Sequence, residues 1–258
     1  MTAIVPVFHP RREARRAVQR GYPRLLGRVR LCASSQALES LLASRLVDAV
    51  VLDVKAVPQS EVALALPSRF PRIPVFALSA FRPEDGALVV ACQRAGFAGV
   101  LVETVDHPVA GEWIARRTAQ QARRRALADA PALLGLTEKL QLAAWEEVWR
   151  RVAAPIKTGE VARALRVTRE HLSREFATGG APNLKRVIDL VRTACAADLL
   201  GNPAYSVAAV ARILSYASPS HLAGAARRVA GVTAQELRRL GPRGVLAAFL
   251  KGRTRSRV

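Results

Sequence analysis

The chain has 258 residues, with 40 basic and 20 acidic side chains and a formal net charge of +20. That length suits one large domain or two ordinary ones. Half the residues are hydrophobic, which excludes a wholly disordered chain, and no apolar run approaches the ~20 residues of a membrane-spanning helix.

Short β-rich apolar runs occur at 3–8 (AIVPVF), 28–33 (RVRLCA), 48–53 (DAVVLD), 73–78 (IPVFAL) and 98–103 (AGVLVE). The first is short and is followed, not preceded, by basic residues, so it does not read as a signal peptide. Helical patterns lie between the runs at 10–20, 35–45 and 83–95, with a weaker one at 57–67. Strands alternating with helices predict an α/β domain over 1–105 with a doubly wound parallel sheet. The runs at 48–53 and 73–78 are almost wholly apolar, as central strands buried on both faces should be. Ser34 or Ser35 is the expected N-cap of the second helix, and Gly96 the stop after VVACQRA.

From 106 to about 154 no strand pattern remains. Residues 108–129 read as one polar, Arg-rich helical stretch, and 106–136 as a helical linker. The segment TEKLQLAAWEEVWRRV starts at a capping candidate, Thr137, and opens an all-helical domain. Leu140, Trp145 and Trp149 fall on adjoining turns, a packed face rather than a binding box.

The segment TGEVARALRVTREHLSREF at 158–176 has the form helix, tight turn, helix. Val161, Ala162 and Leu165 make one apolar face, Arg166–Val167 the turn, and Thr168 the N-cap of the second helix. Leu172 and Phe176 seat that helix. Arg169, Glu170, Ser173 and Arg174 lie on its open side, and His171 stands beside Leu172, on neither side clearly. A second copy begins at Ser206, turns through Ser215–Tyr216 and restarts at Ser218. NLKRVIDLVRTACAADLL at 183–200 joins the two as a long amphipathic helix, with Asn183 as N-cap and Gly201 and Pro203 at its end.

This ordered set resembles the DNA-binding domain of the AraC/XylS transcription factors. The pieces that carry the resemblance are VARALRVTREHLSREF; Arg192, Ala196, Leu199 and Leu200; Ser206, Val207, Val210 and Ala211; and the run from Gly231 to Arg238. The resemblance implies an all-α domain at 137–240 with two helix-turn-helix units, and a basic tail at 241–258 that includes Lys251, Arg253, Arg255 and Arg257. The second unit departs from the family: Ser215–Tyr216 replaces Gly-Phe, and Leu222, Gly224 and Ala226 replace the usual Phe, Arg, Phe. These changes predict a thinner core there. A glycine within a helix costs about 1 kcal/mol relative to alanine.

Arg pairs bidentately with guanine and Glu accepts from cytosine, so Arg169, Glu170, Ser173 and Arg174 are the candidate base readers. A Glu170–Arg174 pair along the helix is the bland alternative. In the second unit Ser218, Ser220, His221, Arg227 and Arg228 are candidates, the two arginines for phosphate.

Residues 1–105 resemble the receiver domain of response regulators more weakly. VVLDV puts Asp53 where receivers carry the phospho-acceptor, and FALSA puts Ser79 where they carry a sensing Ser or Thr. The position of the receiver lysine holds Glu103, and Phe8, His9 and Pro10 stand where paired acids hold Mg²⁺. Two carboxylates without a cation repel phosphate, so the expectation is a degenerate receiver that serves dimerisation or protein docking.

The charge follows this division. Residues 156–258 carry 18 basic and 6 acidic side chains, whereas 1–105 carry 14 and 8. Within 11–30, eight arginines stand against one glutamate. A GC-rich coding sequence accounts for 35 Arg against 5 Lys, but not for the basic excess, which is the footprint of a polyanion binder. Cys32, Cys92 and Cys195 lie far apart, with no CxxC or Cys/His cluster, so no disulfide framework, metal or cofactor is indicated. No GxSxG, P-loop or HExxH pattern occurs, and no enzyme is expected. The reading is a cytoplasmic, bacterial-type transcription regulator that binds double-stranded DNA, with RNA polymerase and a second copy as candidate partners and no membrane. The alternatives are a phosphorylation-switched response regulator and a weakly specific nucleoid-associated protein.

Overall fold

Valine, isoleucine and phenylalanine on alternate sides of short runs leave those runs no solvated face. β1 (Ile4–Phe8), β3 (Val50–Leu52) and β4 (Val75–Ser79) are buried at every position, which demands helices on both sides of the sheet they form. A computed structural model of the chain describes residues 3–57, 60–177 and 180–255. The chain divides into two compact units, residues 2–122 with 202–204, and residues 123–201 with 205–258.

In the first unit the three buried strands are flanked by β2 (Arg28–Cys32) and β5 (Gly99–Val102). All five are parallel, in the order β2-β1-β3-β4-β5. This is the order of doubly wound sheets whose ligands bind at the C-terminal strand ends. Between the strands run α1 (Arg12–Gly21), α2 (Ser35–Ser44), α3 (Ser60–Leu64), α4 (Leu66–Arg69) and α5 (Gly86–Arg94). Ser34 caps α2 by accepting the Ala37 N–H at 3.1 Å. Gly96, at φ +87°, ends α5 as the sequence predicts.

The sheet is closed on one side by α6 (Ala110–Ala115). Ala110, Ile114 and Ala115 share one buried cluster with Val5, Val7, Val18, Val51, Phe76 and Leu78. The sequence reading assigns this segment to a linker because it lies in the polar, Arg-rich stretch 108–129, where the strand pattern has ended. Two glycines explain its seat instead. A Cβ on Gly111 would lie 2.2 Å from the Gly21 carbonyl carbon, so α6 and α1 touch backbone to backbone. A Cβ on Gly99 would lie 2.0 Å from the Trp113 ring, which therefore lies over bare strand. Phe76 meets the same indole edge to face at 5.5 Å, and Arg117 stacks on it at 4.2 Å.

The second unit is helical: α7 (Ala119–Ala126) leads into it, followed by α8 (Ala130–Leu134), α9 (Lys139–Arg150), α10 (Thr158–Ala164), α11 (Arg169–Ala177), α12 (Leu184–Leu200), α13 (Val207–Ile213), α14 (Pro219–Ala230) and α15 (Leu237–Arg255). The expected single helix at 108–129 is thus broken into α6 and α7. α9 begins one residue beyond the predicted cap: Glu138, with Gln141, forms its capping box. Trp145 and Trp149 are buried and meet edge to face at 6.1 Å.

α12 is the axis of this unit; 14 of its 17 residues are buried. Two of them are charged. Arg123 of α7 pairs with Asp198 at 2.6 Å in the interior. Arg192, 7% exposed, donates to the carbonyls of Ala154 and of Leu214, the latter at 2.7 Å, and lies 4.5 Å from the centre of the Tyr216 ring. The resemblance motif at 231–238 is likewise structural. Gly231 ends α14 at φ +70°. Thr233 and Glu236 then cap each other's N–H reciprocally, and the Thr233 N–H and hydroxyl hold the Glu236 carboxyl below its ordinary pKa. Arg238 donates to the carbonyls of Leu200 and Tyr205.

Beyond Leu240 the structure differs from the expected basic tail. The helix breaks at Gly241, φ +60°, restarts behind Pro242 and continues to Arg255. Val245, Leu246 and Phe249 are buried, and α15 packs along α12 and α14. Lys251 is exposed; the side chains of Arg253 and Arg255, and the whole of Arg257, lie outside the described residues.

Arg192→Met should lower the unfolding free energy of the helical unit by about 2–4 kcal/mol, because two carbonyls held by a charged donor lose it. Chemical denaturation of the full chain, followed by tryptophan fluorescence, measures this. A loss below about 0.5 kcal/mol would show that the carbonyls find other donors.

Candidate functional site

α11 owes its place to the residues before it. The turn after α10 puts Arg166 at φ +58°, a left-handed conformation that reverses the chain in one residue. Thr168 then accepts the His171 N–H at 3.1 Å and starts the helix. Leu172 and Phe176 are buried on its inner side. Arg169, Glu170, Ser173 and Arg174 are all exposed on its outer side. No ion pair joins Glu170 to Arg174 among the described residues, so both keep their hydrogen-bonding capacity. His171 is also exposed, which decides its position between core and surface.

The second unit repeats the construction. Ser206 caps α13 through the Ala209 N–H, and the turn residue Ser215 stands at φ +54°. The Ser215 hydroxyl donates to the Ala153 carbonyl at 3.0 Å, tying this turn to the segment after α9. Ser218 accepts the His221 N–H at 3.2 Å, so its hydroxyl serves as a helix cap. Ser220, His221, Arg227 and Arg228 are exposed. Gly224 leaves room for a Cβ, whose nearest neighbour would be the mobile end of Arg228 at 3.3 Å. The thin core expected beneath α14 is in fact filled: Leu222, Ala225, Ala226 and Val229 are buried, and α15 lies against them. Phe249 lies close to Val229, with the Arg186 guanidinium 5.0 Å from the centre of its ring.

In the first unit the C-terminal strand ends gather a different set. Asp53 follows β3, and its Oδ1 accepts from the Ser79 hydroxyl at 2.5 Å and from the Lys55 N–H at 3.0 Å. Glu103 follows β5 and is buried. Arg11 Nη1 reaches Glu103 Oε2 at 3.2 Å. The His9 ring is buried between the two carboxylates, with Nε2 3.6 Å from Asp53 and 3.9 Å from Glu103. Its Nδ1 accepts the Arg11 N–H at 3.1 Å, so the proton of the neutral ring sits on Nε2 and faces the acids. The sequence reading expects two carboxylates without a cation; the structure supplies Arg11 as that cation. The HPRRE run after β1 carried the signal, but the partner is 92 residues away. These residues do not fit the Mg²⁺ that receiver domains hold: an imidazole and a guanidinium fill the space beside the acids. Among the described residues no group of three or more His, Cys, Asp or Glu side chains is disposed to hold a metal ion.

Comparison with known proteins bears on both units. Residues 161–240 match a protein-family model described as a helix-turn-helix domain. No curated protein matches the chain. Among solved structures, the chain is similar to a response regulator from Thermotoga maritima, at 22% identity over 44% of this chain and 95% of that one, with a TM-score of 0.39. It is also similar to full-length FixJ from B. japonicum, at 16% identity over 90% of this chain and 98% of that one, with a TM-score of 0.38.

Burial is the largest influence on His9 and lowers its pKa below the ordinary 6.5, against the raising influence of Asp53 and Glu103. The unfolded chain therefore takes up a proton that the folded one resists. The contribution of His9 to the stability of the first unit should be full above pH 6.5 and should fall as pH drops from 6.5 toward the lower folded-state value. Urea unfolding at pH 7.5 and 5.5 checks this: His9→Gln should lose less stability between the two than the wild type. An equal loss in both would assign the slope to other groups.

Proposed function

Given that residues 161–240 are an AraC-type helix-turn-helix domain, of the kind that binds DNA and regulates transcription, we propose that the chain is a sequence-specific regulator that reads DNA chiefly through α11. One observation carries this reading. Arg169, Glu170, Ser173 and Arg174 are exposed together on one side of α11, while Leu172 and Phe176 anchor the other. Arg169 and Arg174 offer bidentate donors to guanine and Glu170 an acceptor to cytosine. The outer side of α14 supports a lesser role. Ser218 is a cap, Ala223 and Gly224 have no hydrogen-bonding side chain to offer a base, and Arg227 and Arg228 stand at the helix end, where phosphate contact is the natural use.

α12 has 17 residues, about 25 Å at ~1.5 Å per residue. A helix of that length between the two helix-turn-helix elements suits successive major grooves, about 34 Å apart on one side of the duplex. The expected operator has one sharply defined half and a second, loosely specified half about one helical turn away.

The first unit acts in this reading as a dimerisation or docking module without phosphorylation. Its partners are a second copy of the chain or RNA polymerase, and a chromosomal DNA partner sets the compartment as the cytoplasm. The pocket supports the absence of phosphorylation. Asp53 Oδ1 is occupied by two donors, and Arg11 is committed to Glu103.

Arg169→Ala should weaken binding to the selected site by about 1–3 kcal/mol and relax preference at one or two base pairs. Competition binding against random duplex at constant salt measures it; an equal loss on both would reduce Arg169 to a phosphate contact. Asp53→Asn should leave DNA affinity and oligomeric state unchanged. Incubation with acetyl phosphate and Mg²⁺, read on a phosphate-affinity gel, checks the premise. A retarded band in the wild type that the variant lacks would establish a phosphorylation switch instead.

A further inference from the structure

The first unit carries a concentration of charge that its pocket does not use. Seven of the eight arginines within 11–30 are exposed, and Glu13 is the one acid among them. Arg11 belongs to the Glu103 pair. Arg12, Arg16 and Arg20 recur at every fourth position of α1, which stacks them on one side of the helix. Arg28 and Arg30 are two apart on β2, so they point to the same side of the sheet about 6.6 Å from each other. β2 is an edge strand, paired on one side by β1 alone. The end of α1, the loop and β2 enclose a groove of about 740 Å³ lined by Arg20, Arg24, Arg28, Arg30 and Tyr22. None of these four arginines has an ion-pair partner among the described residues. Tyr22 is 4% exposed, and its hydroxyl has no hydrogen-bond partner among the described residues.

We propose that this groove is a second nucleic-acid contact, which grips the phosphates of duplex DNA without reading bases. Four cations around one groove repel each other, and a single small anion neutralises at most one or two of them. A duplex strand offers one charge per ~3.4 Å of axis and can meet all four. The guanidinium fork matches phosphate oxygens bidentately. The groove has no recognition helix to enter the bases, and an arginine on an edge strand reaches the backbone of a duplex that lies along it. The choice of DNA over another polyanion rests on the reading of residues 161–240 as a DNA binder. Leu25, 94% exposed in the loop, is a single strongly exposed apolar side chain and does not make the apolar surface that a lipid bilayer engages.

The test uses the full chain, a random-sequence duplex of about 40 base pairs, a duplex enriched by selection, and fluorescence anisotropy across a salt series. Arg20→Gln/Arg24→Gln and Arg28→Gln/Arg30→Gln alter different elements, so a folding defect in one leaves the other to answer. Circular dichroism melting identifies such a defect. Each pair should lower affinity for both duplexes by the same factor, about tenfold or more, and flatten the slope of log K against log salt by about 2. The ratio of selected to random binding should stay unchanged. Unaltered slopes in a folded variant overturn the proposal. So does retention of the wild type on phosphatidylglycerol vesicles that both variants lose while their DNA slopes are unchanged. Arg169→Ala separates this outcome from the underlying reading. If it spares the selected-to-random ratio while the groove variants flatten the slope, the reading of α11 fails and the groove stands. If it lowers that ratio and the groove variants change nothing, the groove alone falls.

Discussion

Arg192 holds the helical unit together from its middle. An arginine this deeply buried is destabilising by itself, since its charge leaves water for a poorly polarisable interior. It is tolerated because its fork reaches two carbonyls that have no other obvious donor, at Ala154 before α10 and at Leu214 where α13 ends. Those two carbonyls belong to segments 60 residues apart in sequence, one leading into the first helix-turn-helix and one at the turn inside the second. The Ser215 hydroxyl repeats the tie by donating to Ala153, and Tyr216 lies beside the guanidinium. One α12 side chain thus ties the segment before α10 to the end of α13, alongside the packing of α11 on α9 and α10 and of α14 on α12. At a DNA surface, where small misplacements of a recognition helix cost affinity, that rigidity has direct value.

Elements whose cause is local were legible in sequence. The almost wholly apolar runs at 48–53 and 73–78 read as central strands, and Ser34, Asn183, Ser206 and Gly96 mark helix ends by their own chemistry. The exposed face of α11 followed from the four-residue spacing of Leu172 and Phe176. What escaped has non-local causes. The seat of α6 depends on Gly111 meeting Gly21 from 90 positions away. The helix after Gly241–Pro242 hides behind two residues that ordinarily end one, and its apolar face matters only once α12 and α14 are there to receive it. The Arg11–Glu103 pair requires the ends of β1 and β5, which are not neighbours in the sheet, to open on the same side.

The strand-end pocket turns most of its polar chemistry inward. Glu103 holds the guanidinium of Arg11, the Ser79 hydroxyl is bonded to Asp53, and the two acids face the buried His9 Nε2 at 3.6 and 3.9 Å, an atom with no hydrogen-bond partner among the described residues. The outward-facing charge of this unit lies elsewhere, along α1 and β2.

The two tight turns carry a consequence for mutational tolerance. Arg166 and Ser215 both adopt left-handed backbone without being glycine, a conformation that costs a side-chain-bearing residue about 1–2 kcal/mol. Each turn therefore stores a small strain next to α11 or α14, and the two positions differ in how they can relax. Arg166 is exposed, and glycine or asparagine can replace it with relief and little loss. Ser215 is anchored to Ala153, so the same replacement trades strain against a tether. β-branched residues are excluded at both. Sequence drift in this domain is thus channelled at the turns by backbone geometry, whatever the outer faces of the neighbouring helices meet.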